Sequence, residues 1–156
     1  MEKLIVGIDL CDTYTQAAVL GREEAWMLPT VICRKRDAEE WSVGEDAYKY
    51  TLMGEGVIVD KLLSLALKEG TATISSVKYT GVQLLKKFLE QVLGMILSEY
   101  EEPQIVQLVI GLKTMEMKLM DELMSCMTEL GIPQEQVHIA SHRSEERRVG
   151  KECRSR

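Results

Sequence analysis

The stretch Leu4-Ile5-Val6-Gly7-Ile8-Asp9-Leu10-Cys11-Asp12-Thr13-Tyr14-Thr15 decides how this chain is read. Residues 4–8 form a continuous apolar run, the pattern of a strand buried on both faces. The run delivers Asp9 to the end of the strand, and a polar turn over residues 11–14 follows. Residues 15–20 read as a second strand, and Gly21-Arg22-Glu23-Glu24 closes the hairpin. A third strand is predicted around residues 26–33, where Pro29 suggests an edge or a bulge. Together these make an antiparallel meander. At such a strand end, backbone N–H groups can converge on phosphate oxygens and a carboxylate can hold hydrated Mg²⁺.

Past residue 44 the texture changes. Residues 45–50 suit a short helix after Gly44. Residues 61–68 suit another, behind Asp60 as its expected N-cap and with Gly70 ending it. The β-branched pieces 71–74 and 77–79 read as a small hairpin about Ser75-Ser76. Thr80 and Gln83 have capping-box spacing, opening the longest helix. Val82, Leu85, Leu89, Val92, Leu93, Ile96 and Leu97 form its apolar stripe, with Gly94 on the same side, where a close neighbour is expected. Residues 105–110 are a second buried strand and residues 114–130 a second long helix, with Gly131 at its C-cap. A third buried strand begins at residue 137. A helix between two apolar strands implies parallel pairing. The predicted fold class is therefore mixed α/β, antiparallel first and parallel afterwards.

Residues 143–156 (RSEERRVGKECRSR) are basic, lack apolar periodicity, and resemble an in-frame translation of a sequencing-library adapter. They are read as an artefactual tail and left out of the fold reasoning. The whole chain has 19 Lys and Arg against 25 Asp and Glu, a formal charge of −6. The tail holds five Arg and one Lys against three Glu, which leaves 13 basic and 22 acidic residues and a charge of −9 in residues 1–142. Such an acidic body argues against a nucleic-acid partner. No apolar run approaches the ~18–20 residues that span a bilayer. Cys11, Cys33 and Cys126 are odd in number and far apart, so a reducing, cytoplasmic setting is expected.

The string Gly7 to Thr15 resembles the first phosphate loop of heat-shock-70 chaperones and their relatives, the actin, sugar-kinase and heat-shock ATPase superfamily. Leu28-Pro29-Thr30-Val31-Ile32 and Trp41-Ser42-Val43-Gly44-Glu45-Asp46-Ala47 resemble that family's third strand and the segment after it. Beyond residue 50 the similarity lies in element order. The resemblance implies a ribonuclease-H-like first lobe over residues 1–142, with a small α/β insertion over residues 51–79, missing its own second lobe. It implies ATP and Mg²⁺ as ligands of the parent, with Asp9 associated with the Mg²⁺. The backbone of Cys11, Asp12, Thr13 and Tyr14 and the Thr13 hydroxyl would approach the phosphates. It also implies a protein partner gripped through lobe closure.

Two departures qualify that reading. Cys11 stands where the family has a glycine that lets phosphate approach the backbone, and Asp12 replaces a threonine. Tyr48 stands where the family's catalytic lysine is expected, with Lys49 one position later. The isolated chain is therefore expected to be inactive and to bind ATP weakly or not at all. A non-catalytic interaction scaffold is the alternative. Elsewhere, Met120, Leu123, Met124, Met127 and Leu130 share a helix face and read as core, with Met117 off it. His138 reads as a hydrogen-bonded core residue. Cys11 has no flanking cation in sequence to lower its pKa.

Overall fold

A computed structural model of the chain describes residues 2–35, 40–74, 76–113 and 116–141. The tail of residues 143–156 and His142 lie outside the described residues. The predicted meander is present: β1 (Glu2–Leu10) pairs antiparallel with β2 (Tyr14–Val19), and β2 with β3 (Trp26–Pro29). The strand expected over residues 26–33 is in fact two. It breaks at Thr30, and β4 (Val31–Lys35) leaves for a second sheet, in order β5 (Trp41–Val43), β4, β6 (Gly56–Asp60). Pro29 cannot donate a ladder hydrogen bond, and it closes β3 at the edge of the first sheet. Helix α1 (Glu45–Leu52) packs on the small sheet, where Ala47 meets Val31 and Cys33.

Helix α2 (Leu62–Leu67) and the hairpin β7 (Thr71–Ile74) and β8 (Val77–Thr80) lead to α3 (Gly81–Leu97). Both capping-box bonds form: Gln83 N–H donates to the Thr80 hydroxyl at 3.1 Å, and Thr80 N–H donates to Gln83 Oε1 at 2.8 Å. Then come β9 (Pro103–Leu112), α4 (Met117–Glu129), a 3-10 turn and β10 (Val137–Ser141). Strands β1, β9 and β10 are parallel, and the five-stranded sheet runs β10-β9-β1-β2-β3.

Alternation along the strands fixes the core. Leu4, Val6, Ile8 and Leu10 of β1 and Ile105, Leu108, Ile110 and Leu112 of β9 point to one face. They share a cluster there with Leu84, Leu85, Phe88, Leu89 and Val92 of α3 and Leu119, Leu123 and Met127 of α4. The α4 core face is thus turned slightly from the expected one: Leu119 and Cys126 are buried, while Met120 and Met124 are only partly so. Met117 is 75% exposed. The opposite face of the sheet, with Ile5, Asp9, Gln16 and Ala18, is exposed.

Three local expectations fail. His138 is exposed rather than core, because β10 is an edge strand and only its Val137 side meets the helices. Asp60 does not cap α2: the N-cap is Lys61, in the left-handed region at φ 51°, with no side-chain cap bond. Gly94 has no close neighbour, since a Cβ built there meets nothing within 4 Å. A glycine in a helix gives up about 0.5–1 kcal/mol relative to alanine. Gly94→Ala should therefore stabilise the fold by up to about that amount, read as a higher urea midpoint at unchanged slope.

Candidate functional site

Register brings three strand ends level. Leu10 of β1 pairs with Leu112 of β9, and Leu112 with Ser141 of β10. The loop of residues 11–13 and Lys113 therefore emerge side by side at the carboxyl edge of parallel strands. That edge is where open α/β sheets bind ligands.

The loop is pinned from two sides. Behind it stand Thr15 and Thr30, both fully buried. The Thr30 hydroxyl donates to the carbonyl of Cys11 at 2.6 Å. A hydroxyl has one proton, so across the 2.7 Å gap between the two threonine oxygens Thr15 is the donor. Thr30 N–H donates to the carbonyl of Thr13 at 3.1 Å. Two loop carbonyls are thus consumed. No backbone carbonyl among the described residues accepts the N–H of Cys11, Asp12 or Thr13 outside the strand ladders.

In front, Asp12 reaches α2. Its Oδ1 accepts from the N–H groups of Leu63 at 3.0 Å and Ser64 at 3.2 Å, and the Ser64 hydroxyl donates to its Oδ2. Leu63 and Ser64 hold the second and third helical positions, the donors that an N-cap side chain ordinarily satisfies. Asp12 is the cap that Lys61 does not provide, supplied from far away in the sequence. Its negative charge sits against the positive end of the helix. A second carboxylate in the loop would repel a phosphate, and the donors of α2 offset part of that charge.

Between loop and helix lies a cleft of about 330 Å³, with Cys11, Asp12, Thr13, Ser64 and Lys113 among its lining and leucines as its walls. Thr13 and Tyr14 are exposed, Cys11 and Asp12 half-buried. Asp9 is exposed on the opposite face of the sheet, beside a second, shallower depression with Gly7, Gln16 and Gly111. Burial, and after it the charge of Asp9, pushes the Cys11 thiol above its ordinary 9.0; Lys113 pulls the other way and Asp12 pushes up again. Cys11 is therefore a neutral thiol near pH 7, poorly suited to nucleophilic attack. The cation that acts on Cys11, Lys113, comes from the end of β9 rather than from residues flanking Cys11 in sequence. Tyr48 is 44% exposed on α1.

Sequence reasoning identified the loop but missed Thr15, Thr30, Ser64 and Lys113. Thr30 lay inside the quoted third-strand motif. Thr15 closed the quoted loop string without a role being read for it, and Ser64 and Lys113 give no local signal, because their roles depend on strand register or on a helix distant in sequence.

Residues 13–145 match the family of unknown function DUF5716, in its C-terminal region. The chain belongs to that family. No curated protein matches it in sequence. Among solved structures, a non-polymerising MamK mutant bound to AMPPNP superposes with a TM-score of 0.65 at 17% identity, over 90% of this chain and 41% of that one. The MamK double helical filament gives 0.64 at 17% identity over the same shares. MreB5 of Spiroplasma citri bound to ADP gives 0.57 at 15% identity, over 89% of this chain and 38% of that one. The DUF5716 chain thus has the mixed α/β fold of an actin-like ATPase lobe, and it spans about two fifths of the length of these proteins. Among the described residues, no helix is long and apolar enough to cross a membrane.

Proposed function

We propose that this chain is one lobe of a nucleotide-binding protein of the actin-like ATPase fold, with residues 9–14 holding the phosphates. One observation carries the reading. The loop between β1 and β2 has the carbonyls of Cys11 and Thr13 tied to Thr30 behind it, while among the described residues no carbonyl outside the strand ladders takes the N–H groups of residues 11–13 at the edge of three level strands. That is the polarity an anion requires. The donor set fits a polyphosphate: backbone N–H groups of residues 11–13, the Thr13 hydroxyl and the exposed phenol of Tyr14. Asp9 would hold Mg²⁺ through water, and the ion would neutralise phosphate charge. The MamK and MreB5 structures with AMPPNP and ADP add support from the fold.

A protein partner gripped through lobe closure, as in heat-shock-70 relatives, belongs to this reading, as does a cytoplasmic setting. The free thiols of Cys11, Cys33 and Cys126 support the latter. The acidic body argues against nucleic acid. The isolated chain is read as inactive, because the structures that hold nucleotide are more than twice its length. A non-catalytic scaffold is the second reading. It is favoured by the Cys11 side chain in the glycine position and by Tyr48.

Thermal shift separates the two. A protein carrying this lobe together with a second should gain stability with ATP and Mg²⁺, by the binding linkage that raises Tm. No gain at saturating nucleotide would leave the scaffold. Calorimetry on the 156-residue chain alone should show weak binding or none, and tight Mg²⁺-dependent binding there would contradict its reading as an incomplete site.

A further inference from the structure

We propose that Lys113 is the phosphate-binding cation of this lobe, facing the loop of residues 11–13 across their shared cleft and supplying charge to the outer phosphates of the nucleotide. The inference rests on the nucleotide reading above and names the residue that would complete it.

The argument starts from register. Leu10 and Leu112 are paired on adjacent parallel strands, so the residues that follow them, Cys11 and Lys113, leave the sheet as neighbours. Adjacent strands lie about 4.8 Å apart, well within the reach of a lysine side chain. The cleft lining agrees, since it includes both residues. So does the electrostatic effect of Lys113 on the Cys11 thiol.

Charge supplies the second step. An anion entering this cleft meets Asp12, with Asp9 on the far side of the same strand end. The Asp12 carboxylate is occupied by three donors from α2. Among the described residues lining the cleft, Lys113 is the one cation. Its side chain is exposed and on a flexible stem, so it can follow a ligand rather than impose one geometry. A lysine acts on phosphate as a point charge, and its effect grows with the charge of the phosphate group it meets.

The third step is the absence of an alternative in the expected place. Residue 48 is a tyrosine, and Tyr48 and Lys49 are carried by α1, which packs on the small sheet. Lys113 enters from β9, on the sheet that carries the loop itself.

The test is an amide NMR titration of the 156-residue chain with ATP and with AMP, each with Mg²⁺, into the millimolar range. Wild type, Lys113→Gln and Lys113→Arg are compared. The amides of Cys11, Asp12, Thr13 and Lys113 should move, and ATP should bind more tightly than AMP. Lys113→Gln should weaken ATP binding about tenfold, the usual scale for a lost hydrogen bond to a charged group, and leave AMP nearly unchanged. Lys113→Arg should restore most of the ATP preference. Loop amides that respond to ATP equally in wild type and Lys113→Gln would overturn the role of Lys113 and leave the loop's intact. Loop amides that do not respond in wild type would overturn the role of Lys113 in this chain, while the nucleotide reading would stand or fall on the thermal shift of the two-lobed protein. Because Lys113 is exposed, both variants should keep the wild-type spectrum elsewhere. Equal losses for ATP and AMP would mark a structural effect and count against the proposal.

Discussion

Asp12→Ala should destabilise the protein by about 2 kcal/mol, on the scale of a lost helix cap combined with lost hydrogen bonds to a charged acceptor. The substitution strips α2 of the acceptor for its second and third N–H groups and leaves the Ser64 hydroxyl without its partner. Helix α2 has only six residues and no side-chain cap of its own, so it has little else to hold its first turn. Asp12→Asn is the informative comparison. An amide oxygen can still accept from Leu63 and Ser64, while the charge on the helix N-terminus is lost. It should cost less than half as much. Urea denaturation of the three proteins checks both values. If Asp12 were instead an idle surface carboxylate near the phosphate site, the alanine variant would be neutral in stability and would only strengthen anion binding. A midpoint unchanged from wild type would therefore dismiss the capping role.

The same contact shows what the sequence could and could not reveal. Strand β1 was legible from its uninterrupted apolar run, although the expected burial on both faces fails: Leu4, Val6, Ile8 and Leu10 are buried while Ile5 and Asp9 are exposed. The start of α3 was legible because a capping box satisfies its donors locally, through Thr80 and Gln83. Pro29 correctly flagged an edge, although not that the chain changes sheet at Thr30. The α2 cap was misassigned to Asp60 because sequence offers only neighbours as candidates, and the true acceptor is brought in by tertiary folding. His138 was misplaced for a related reason: a strand pattern does not say whether the strand lies at an edge. The loop of residues 11–14 was visible as a motif. Its anchoring by Thr15 and Thr30, and the approach of Lys113, depend on register between strands distant in the chain. Strand β6 went unrecognised, although Val57, Ile58 and Val59 carry the β-branched signal.

Small residues in α3 pose the same problem in its sharpest form, and the largest predicted contrast follows from it. Gly81→Ala should destabilise by about 2 kcal/mol, against the gain that helix propensity alone would give. A Cβ at residue 81 would lie 2.5 Å from the Ala66 nitrogen, 2.6 Å from the Leu65 carbonyl carbon and 2.8 Å from the Ala66 Cα. All three are backbone atoms, so no side-chain rotation relieves the contact. The helices must part by about 1 Å, and a gap of that size forfeits a quarter to a half of each dispersion contact across it. The packing at risk joins Leu62, Leu63 and Ala66 to Leu84 and Leu85. Gly94→Ala, in the same helix, should have the opposite sign, because its Cβ meets open space. Helix α2 is also held at its other end by Asp12, so moving it should disturb the loop of residues 11–13. Gly81→Ala and Asp12→Ala should therefore combine non-additively in a double-mutant cycle, whereas Gly94→Ala should add independently to either. Strict additivity of the first pair would mean that α2 does not transmit the displacement to the loop.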